Sequence, residues 1–239
     1  TIEQPVRRRS IYSSMAADNI ETRFAQAQLR SSSADLSVVL GEGDNATTKR
    51  YHSQALACKS RYIDAMLSTP MKEQDEKVVT FPDIAPELWD EMMKFLDSPA
   101  AILRMTPKDA LRVAVPYDKY EFVEGTKLCD LLLADYFESL DEREKDFSVD
   151  PNFYIESMSV AHEANLDGAL GAGIKYIWGK MRTFYNPPYA SNMFTEKQMD
   201  RLLPILLDAF SGENGMKHGF RPLPPNNPKN GNNGGIDEG

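Results

Sequence analysis

Three histidines and two cysteines carry the most reactive side chains in this 239-residue chain. His52 and Cys58 lie closest together, in the stretch YHSQALACKSRYIDAML over residues 51–67. Imidazole and thiolate are familiar metal ligands, and together they make a base and a nucleophile. The stretch reads as one helix stopped by Pro70. Leu56, Ile63 and Leu67 share one face, and Ala55, Cys58, Tyr62 and Met66 share another, so most of its surface is expected to be covered. Six positions along a helix amount to about 600°, which sets the two side chains roughly 120° apart. Two ligands on one helix need a spacing of three or four, so His52 and Cys58 do not make a local site. Cys129 and His162 fall in other helical segments and form no CxxC, HExxH or HxE pattern. His218 sits in a Gly-, Asn- and Pro-rich tail.

Phosphate-binding and hydrolase motifs fare no better. Gly168-x-x-Gly171-x-Gly173 has no strand before it, as a dinucleotide fingerprint requires. GxxxxGK[ST] and GxSxG are absent. The eleven methionines are scattered and read as core filler. With no catalytic constellation, no cofactor and no metal implied, the expectation is a non-enzyme whose working part is a surface for a partner.

The elements that would build that surface follow from periodicity and punctuation. Ile20, Phe24 and Ala27 form an apolar stripe at helical spacing. Asp35-Leu36-Ser37-Val38-Val39-Leu40 reads as a strand, GEGDNATT as a hairpin loop and Lys49-Arg50-Tyr51 as the return strand. Lys77–Phe81 is a further short strand closed by Pro82. Pro86 opens a helix that Asp97-Ser98-Pro99 breaks, and Thr106 caps the next, with proline behind it. A helix spans 123–136. DEREKD over residues 141–146 reads as a solvated joint. Helices then cover 153–164, 167–181 and 195–210. The last begins with a capping box, Thr195 and Gln198, and carries a kinking Pro204. A faint echo relates Ala114-x-x-Tyr117 with Leu128 and Cys129 to Ala161-x-x-Ala164 with Leu170 and Ile174. Two such units are too few for a solenoid.

Composition narrows the class of partner. A hydrophobic share of 41% and a charged share of 26% are those of an ordinary globular protein. No apolar run approaches the roughly 20 residues of a membrane helix. Two cysteines do not make a disulfide scaffold, so the cytoplasm or nucleus is the expected compartment. A net charge of −9, with Arg7-Arg8-Arg9 as the one tight basic cluster, disfavours nucleic acid as a partner. Composition predicts disorder for residues 1–18 and 212–239.

One ordered set of residues resembles a known family. Asp35-Leu36-x-Val38-Val39 is followed by His52-x-x-x-Leu56-Ala57-x-x-Ser60-x-Tyr62-x-x-x-Met66. Next come Val79-x-Phe81-x-Asp83-Ile84, then the Pro-Glu helix to Met92-Met93-Lys94-Phe95-Leu96, and last Asp118-Lys119-Tyr120 with Cys129 behind. This order resembles a BTB/POZ domain, closest in flavour to the speckle-type POZ proteins. The resemblance implies an α+β fold, a small β-sheet flanked by α-helices, over residues 19–137. It implies an all-helical BACK-like extension over 138–211. His52 would then start the central helix with its ring hydrogen-bonded in the core, and Cys58 would be packing. The family also implies a homodimer built on Ile20, Phe24, Ala27 and Asp35. A cullin scaffold would bind at Met71 and Glu73, which match an apolar-x-Glu motif after the second helix. Ser53 stands where zinc-finger-type members place a basic partner for Asp35, and Asp97-Ser98-Pro99 replaces a Tyr-Thr-Gly. No kelch repeat, MATH domain or zinc finger is present. An adaptor of this form would read an unidentified target through its extension, its tails or a portion beyond this sequence. The implied function is recruitment of that target to a cullin-RING ubiquitin ligase; the alternative is an oligomerisation scaffold or transcriptional corepressor module.

Overall fold

The computed structural model describes residues 34–43, 46–69, 75–142, 150–183 and 194–210. The expected helix at Ile20, Phe24 and Ala27, and Met71 and Glu73, lie outside these. Three strands come first: β1 (Leu36–Leu40), β2 (Thr47–Tyr51) and β3 (Val78–Phe81). β1 is central, antiparallel to β2 and parallel to β3. Alternation along β1 sends Leu36, Val38 and Leu40 into the core. Gly41 and Gly43 take positive φ at the hairpin, as a tight reversal demands.

Between β2 and β3 the chain forms α1 (Ser53–Ala57) and α2 (Arg61–Ser68). The single helix expected over residues 51–67 is therefore corrected to two. Ser60 makes the break. Its backbone is extended, its Oγ accepts the Ile63 N–H at 3.1 Å, and its hydroxyl donates to the Tyr120 carbonyl at 2.7 Å. The Arg61 N–H donates to the Glu121 carbonyl at 3.2 Å. Lys59 adds an ion pair to Asp97 at 2.8 Å. Contacts some 60 residues away thus stop one helix and aim the next. Cys58 becomes the C-cap of α1 and is exposed, which corrects its reading as packing. His52 is the N-cap of α1, as expected of a helix-start residue, but it is half-buried and not part of the core, which corrects that half of its reading.

Helices make up the rest: α3 (Pro86–Asp97), α4 (Pro99–Ile102), α5 (Pro107–Lys119), α6 (Val123–Glu142), α7 (Pro151–Glu163), α8 (Asp167–Thr183) and α9 (Glu196–Phe210). Proline at the first turn starts four of them, where its missing N–H costs nothing, and Ser98, Thr106 and Asp150 add a polar cap to three. Thr106 and Asp109 close a capping box, as do Thr195 and Gln198. α6 runs to residue 142, past the expected end at 136 and into the charge run read as a joint.

Trp89, Phe81, Phe122 and Tyr120 form the aromatic heart beneath the sheet, with Phe81 and Tyr120 in a T-shaped pair at 4.7 Å. Tyr117 is fully buried and donates to the Met92 carbonyl at 2.6 Å. Phe137, Tyr154 and Tyr176 form a second aromatic cluster in the helical part. The architecture is α+β, a small sheet covered by helices and continued by an all-helical extension.

Candidate protein–protein interface

The residues expected to meet a partner do not form one patch that can be traced, since Ile20, Phe24, Ala27, Met71 and Glu73 are outside the described residues. Asp35 is within them, just ahead of β1. Its carboxylate accepts the Ser53 N–H and the Ser53 hydroxyl, both at 2.9 Å, and Lys77 Nζ at 2.7 Å. Lys77 reaches this point because the chain turns there with φ of 50°. The cation that Ser53 does not supply therefore comes from the residue before β3. The Lys77 hydrogen bond, then the Ser53 N–H, hold the Asp35 carboxyl well below the usual carboxylate range. The cluster fastens β1, α1 and β3 at one end of the sheet.

A second polar cluster ties the β3 end to α5. Asp83 accepts from Lys119 at 2.6 Å and from the Tyr120 hydroxyl. Burial and the Asp83 bond push the Tyr120 phenol up to about 12. Burial also raises Asp83, yet the bonds from Lys119 and Tyr120 outweigh it and its carboxyl titrates low. These are fastening contacts: each charge is already answered within the chain.

Burial pushes the Cys129 thiol far up, which keeps it protonated and inert. His162 pairs with Asp208 at 2.9 Å across α7 and α9. Among the described residues no group of three His, Cys, Asp or Glu side chains is arranged for a metal ion. The Gly168–Gly173 run lies inside α8. Gly173 gives Met158 room there: a Cβ at Gly173 would sit 2.2 Å from the Met158 sulfur.

Two surface features escaped sequence reasoning. An open cleft of about 280 Å³ lies where α3, α4 and α5 meet, floored by Phe95 and Ala101 and flanked by Lys94 and Arg104. The signal for it was Asp97-Ser98-Pro99, where a helix break starts the short α4. The other is on α9, where Leu203 and Leu207 stand 47% and 60% exposed, one turn apart. The capping box marked that helix, but nothing local says which of its leucines would be left uncovered.

Compared with known protein families, residues 24–135 match the family model of the BTB/POZ domain, just under half of the chain. No curated protein matches the chain. Among the described residues, no helix is long and apolar enough to cross a membrane.

Proposed function

Because the chain carries a BTB/POZ domain over residues 24–135, a protein–protein interaction module, we propose that it is a dimerising adaptor that recruits a target protein to a cullin-RING ubiquitin ligase. The observation that carries the reading is the position of Met71-Lys72-Glu73 in the chain. It falls between the end of α2 at Ser68 and the start of β3 at Val78. An apolar anchor beside a carboxylate makes a compact hot spot with a polar rim. Ile20, Phe24, Ala27 and Asp35 are proposed to meet the second copy. The helices beyond residue 137 are proposed as the BACK-like extension, and the cytoplasm or nucleus as its place of action.

Pull-down with a cullin N-terminal domain tests this. Capture by the native chain, and its loss on Met71→Asp with Glu73→Lys, is the expected outcome. No capture, or capture indifferent to both substitutions, sinks the ligase reading. A dimer that ignores cullin would instead fit the scaffold or corepressor alternative.

A further inference from the structure

The echo between two helical units is closer in the structure than in the sequence, and its register differs. α5 and α7 each have 13 residues, a proline at the first turn and N-caps, Thr106 and Asp150, 44 residues apart. Both end in the same reversal. Glu121 and Asn165 take φ of 52°. Phe122 N–H reaches back to the Tyr117 carbonyl at 2.8 Å, and Leu166 N–H to the Ala161 carbonyl at 2.8 Å. These are the six-to-one bonds of a Schellman motif. The true equivalences are thus Ala114 with Met158 and Tyr117 with Ala161, three residues off the register that sequence suggests. Each first helix then turns into a second, α6 or α8. The first helices stack on each other, as do the second helices.

α9 is a third first helix. Its cap, Thr195, follows Asp150 by 45 residues, and α9 packs on α7 as α7 packs on α5. Gln198 donates to Asn152 at 3.0 Å across that contact. The eighth residue past the cap is Ala114 in α5, Met158 in α7 and Leu203 in α9. Ala114 and Met158 are fully buried, whereas Leu203 is 47% exposed. In the second hairpin the cover is α8, and its Gly173 makes room for Met158. Residues 211–239 contain no run longer than three residues free of Gly and Pro, the wrong composition for such a cover. Glu196 and Asp200 lie on the same stripe as Leu203 and Leu207, at helical spacing.

We propose that the Leu203–Leu207 face of α9 binds an amphipathic helix of another protein, which completes the third hairpin. The continuity of the stack fixes what fits: a helix with an apolar stripe, a glycine or alanine facing Leu203, and basic residues toward Glu196 and Asp200. It is the helix-in-groove mode of recognition. The inference does not depend on the cullin reading, because α9 is remote in sequence from Met71 and Glu73.

The test uses the full chain and a labelled, helix-stapled peptide of residues 167–183, the helix that covers Met158 in the second hairpin. Fluorescence anisotropy should show saturable binding. Leu203→Lys with Leu207→Lys should weaken it at least tenfold, while Leu131→Lys on α6 leaves it unchanged. Circular dichroism confirms that these variants stay folded, and Leu203→Ala with Leu207→Ala repeats the test with a gentler change. Absence of saturable binding, or equal binding by the lysine variant, overturns the proposal. So does a native oligomer that the lysine variant dissolves, since the occupant would then be a second copy. Cullin capture by the lysine variant should match the native chain, which separates failure here from failure of the ligase reading.

Discussion

Ser60→Ala should cost the protein about 3 kcal/mol. Two losses add. The Oγ that caps the Ile63 N–H at 3.1 Å disappears, and removing such a cap costs about 1 kcal/mol. The same hydroxyl donates to the Tyr120 carbonyl at 2.7 Å, and Ser60 is 1% exposed. Leaving a buried acceptor unsatisfied costs about 1–3 kcal/mol. The two effects are local to one atom, so they are lost together and no compensating contact forms. For a chain of this size each kcal/mol moves the midpoint by about 2–4 °C, so a fall of about 6–12 °C is expected by calorimetry. Ser60→Thr keeps both bonds and should recover most of it. Ser98→Ala, which removes the cap of the four-residue α4 where Ser98 Oγ meets Ala101 N–H at 3.3 Å, is the comparison and should cost less. A Ser60→Ala protein within about 0.5 kcal/mol of the native one would refute the idea that this hydroxyl breaks the helix. So would a Thr variant no better than Ala.

Two further outcomes follow from the packing and the charges. Gly125→Ala places a Cβ 2.7 Å from three atoms of the Tyr117 ring, and that ring is buried and tethered through its hydroxyl to Met92. Overpacking of about 1–3 kcal/mol should outweigh the gain in helix propensity of about 1 kcal/mol; urea melts should show a net loss that shrinks when Tyr117→Phe frees the ring. Asp35 titrates below its unfolded value, so its stabilisation is present above about pH 4 and is lost as pH falls through the folded pKa. The carboxylate is 39% exposed and solvent screens it, so Asp35→Asn should cost about 1 kcal/mol or less at pH 7. The gap to the native protein should close in melts toward pH 2, and a gap that widens there would contradict the Lys77 pairing.

What the sequence disclosed was what neighbours in sequence decide. β1 shows in its run of Leu36 to Leu40, α5 in its Thr106 cap with proline behind it and α9 in its capping box, because each signal lies within a few residues. The division of residues 51–67 was not legible. No Gly or Pro lies between Ser53 and Ser68, and Ser60 in isolation is compatible with a helix. Its hydroxyl is recruited by the Tyr120 carbonyl, which a linear reading does not place beside it. The cation for Asp35 was hidden likewise, since Lys77 is 42 positions away and arrives through the parallel pairing of β3 with β1. The repeat was half-legible: the spacing of a few residues suggested two hairpins, but the shared reversal rests on Glu121 and Asn165, two residues that do not advertise a left-handed turn equally. Asparagine does so often, glutamate seldom.

The stack also runs through the end of the region that matches the BTB/POZ model. A boundary after residue 137 falls inside α6, which runs unbroken from Val123 to Glu142. Asp130 on that helix reaches across to the start of α8, where its carboxylate accepts the Ala169 N–H at 2.7 Å and the Gly168 N–H at 3.3 Å. It therefore caps a helix that belongs to the next hairpin. Burial raises the Asp130 pKa above the usual carboxylate value, and the two N–H bonds offset that only in part. Asn165, in the second reversal, donates to Asp118 beside the first at 3.1 Å. Phe137 of α6 packs edge-on to Tyr154 of α7 at 5.4 Å. The region matched by the BTB/POZ model and the helices that follow are thus joined by α6 itself, by the cap that Asp130 lends to α8, by the Asn165–Asp118 bond and by the Phe137–Tyr154 and Tyr136–Phe153 ring contacts. α6 passes through the end of the matched region as one unbroken helix.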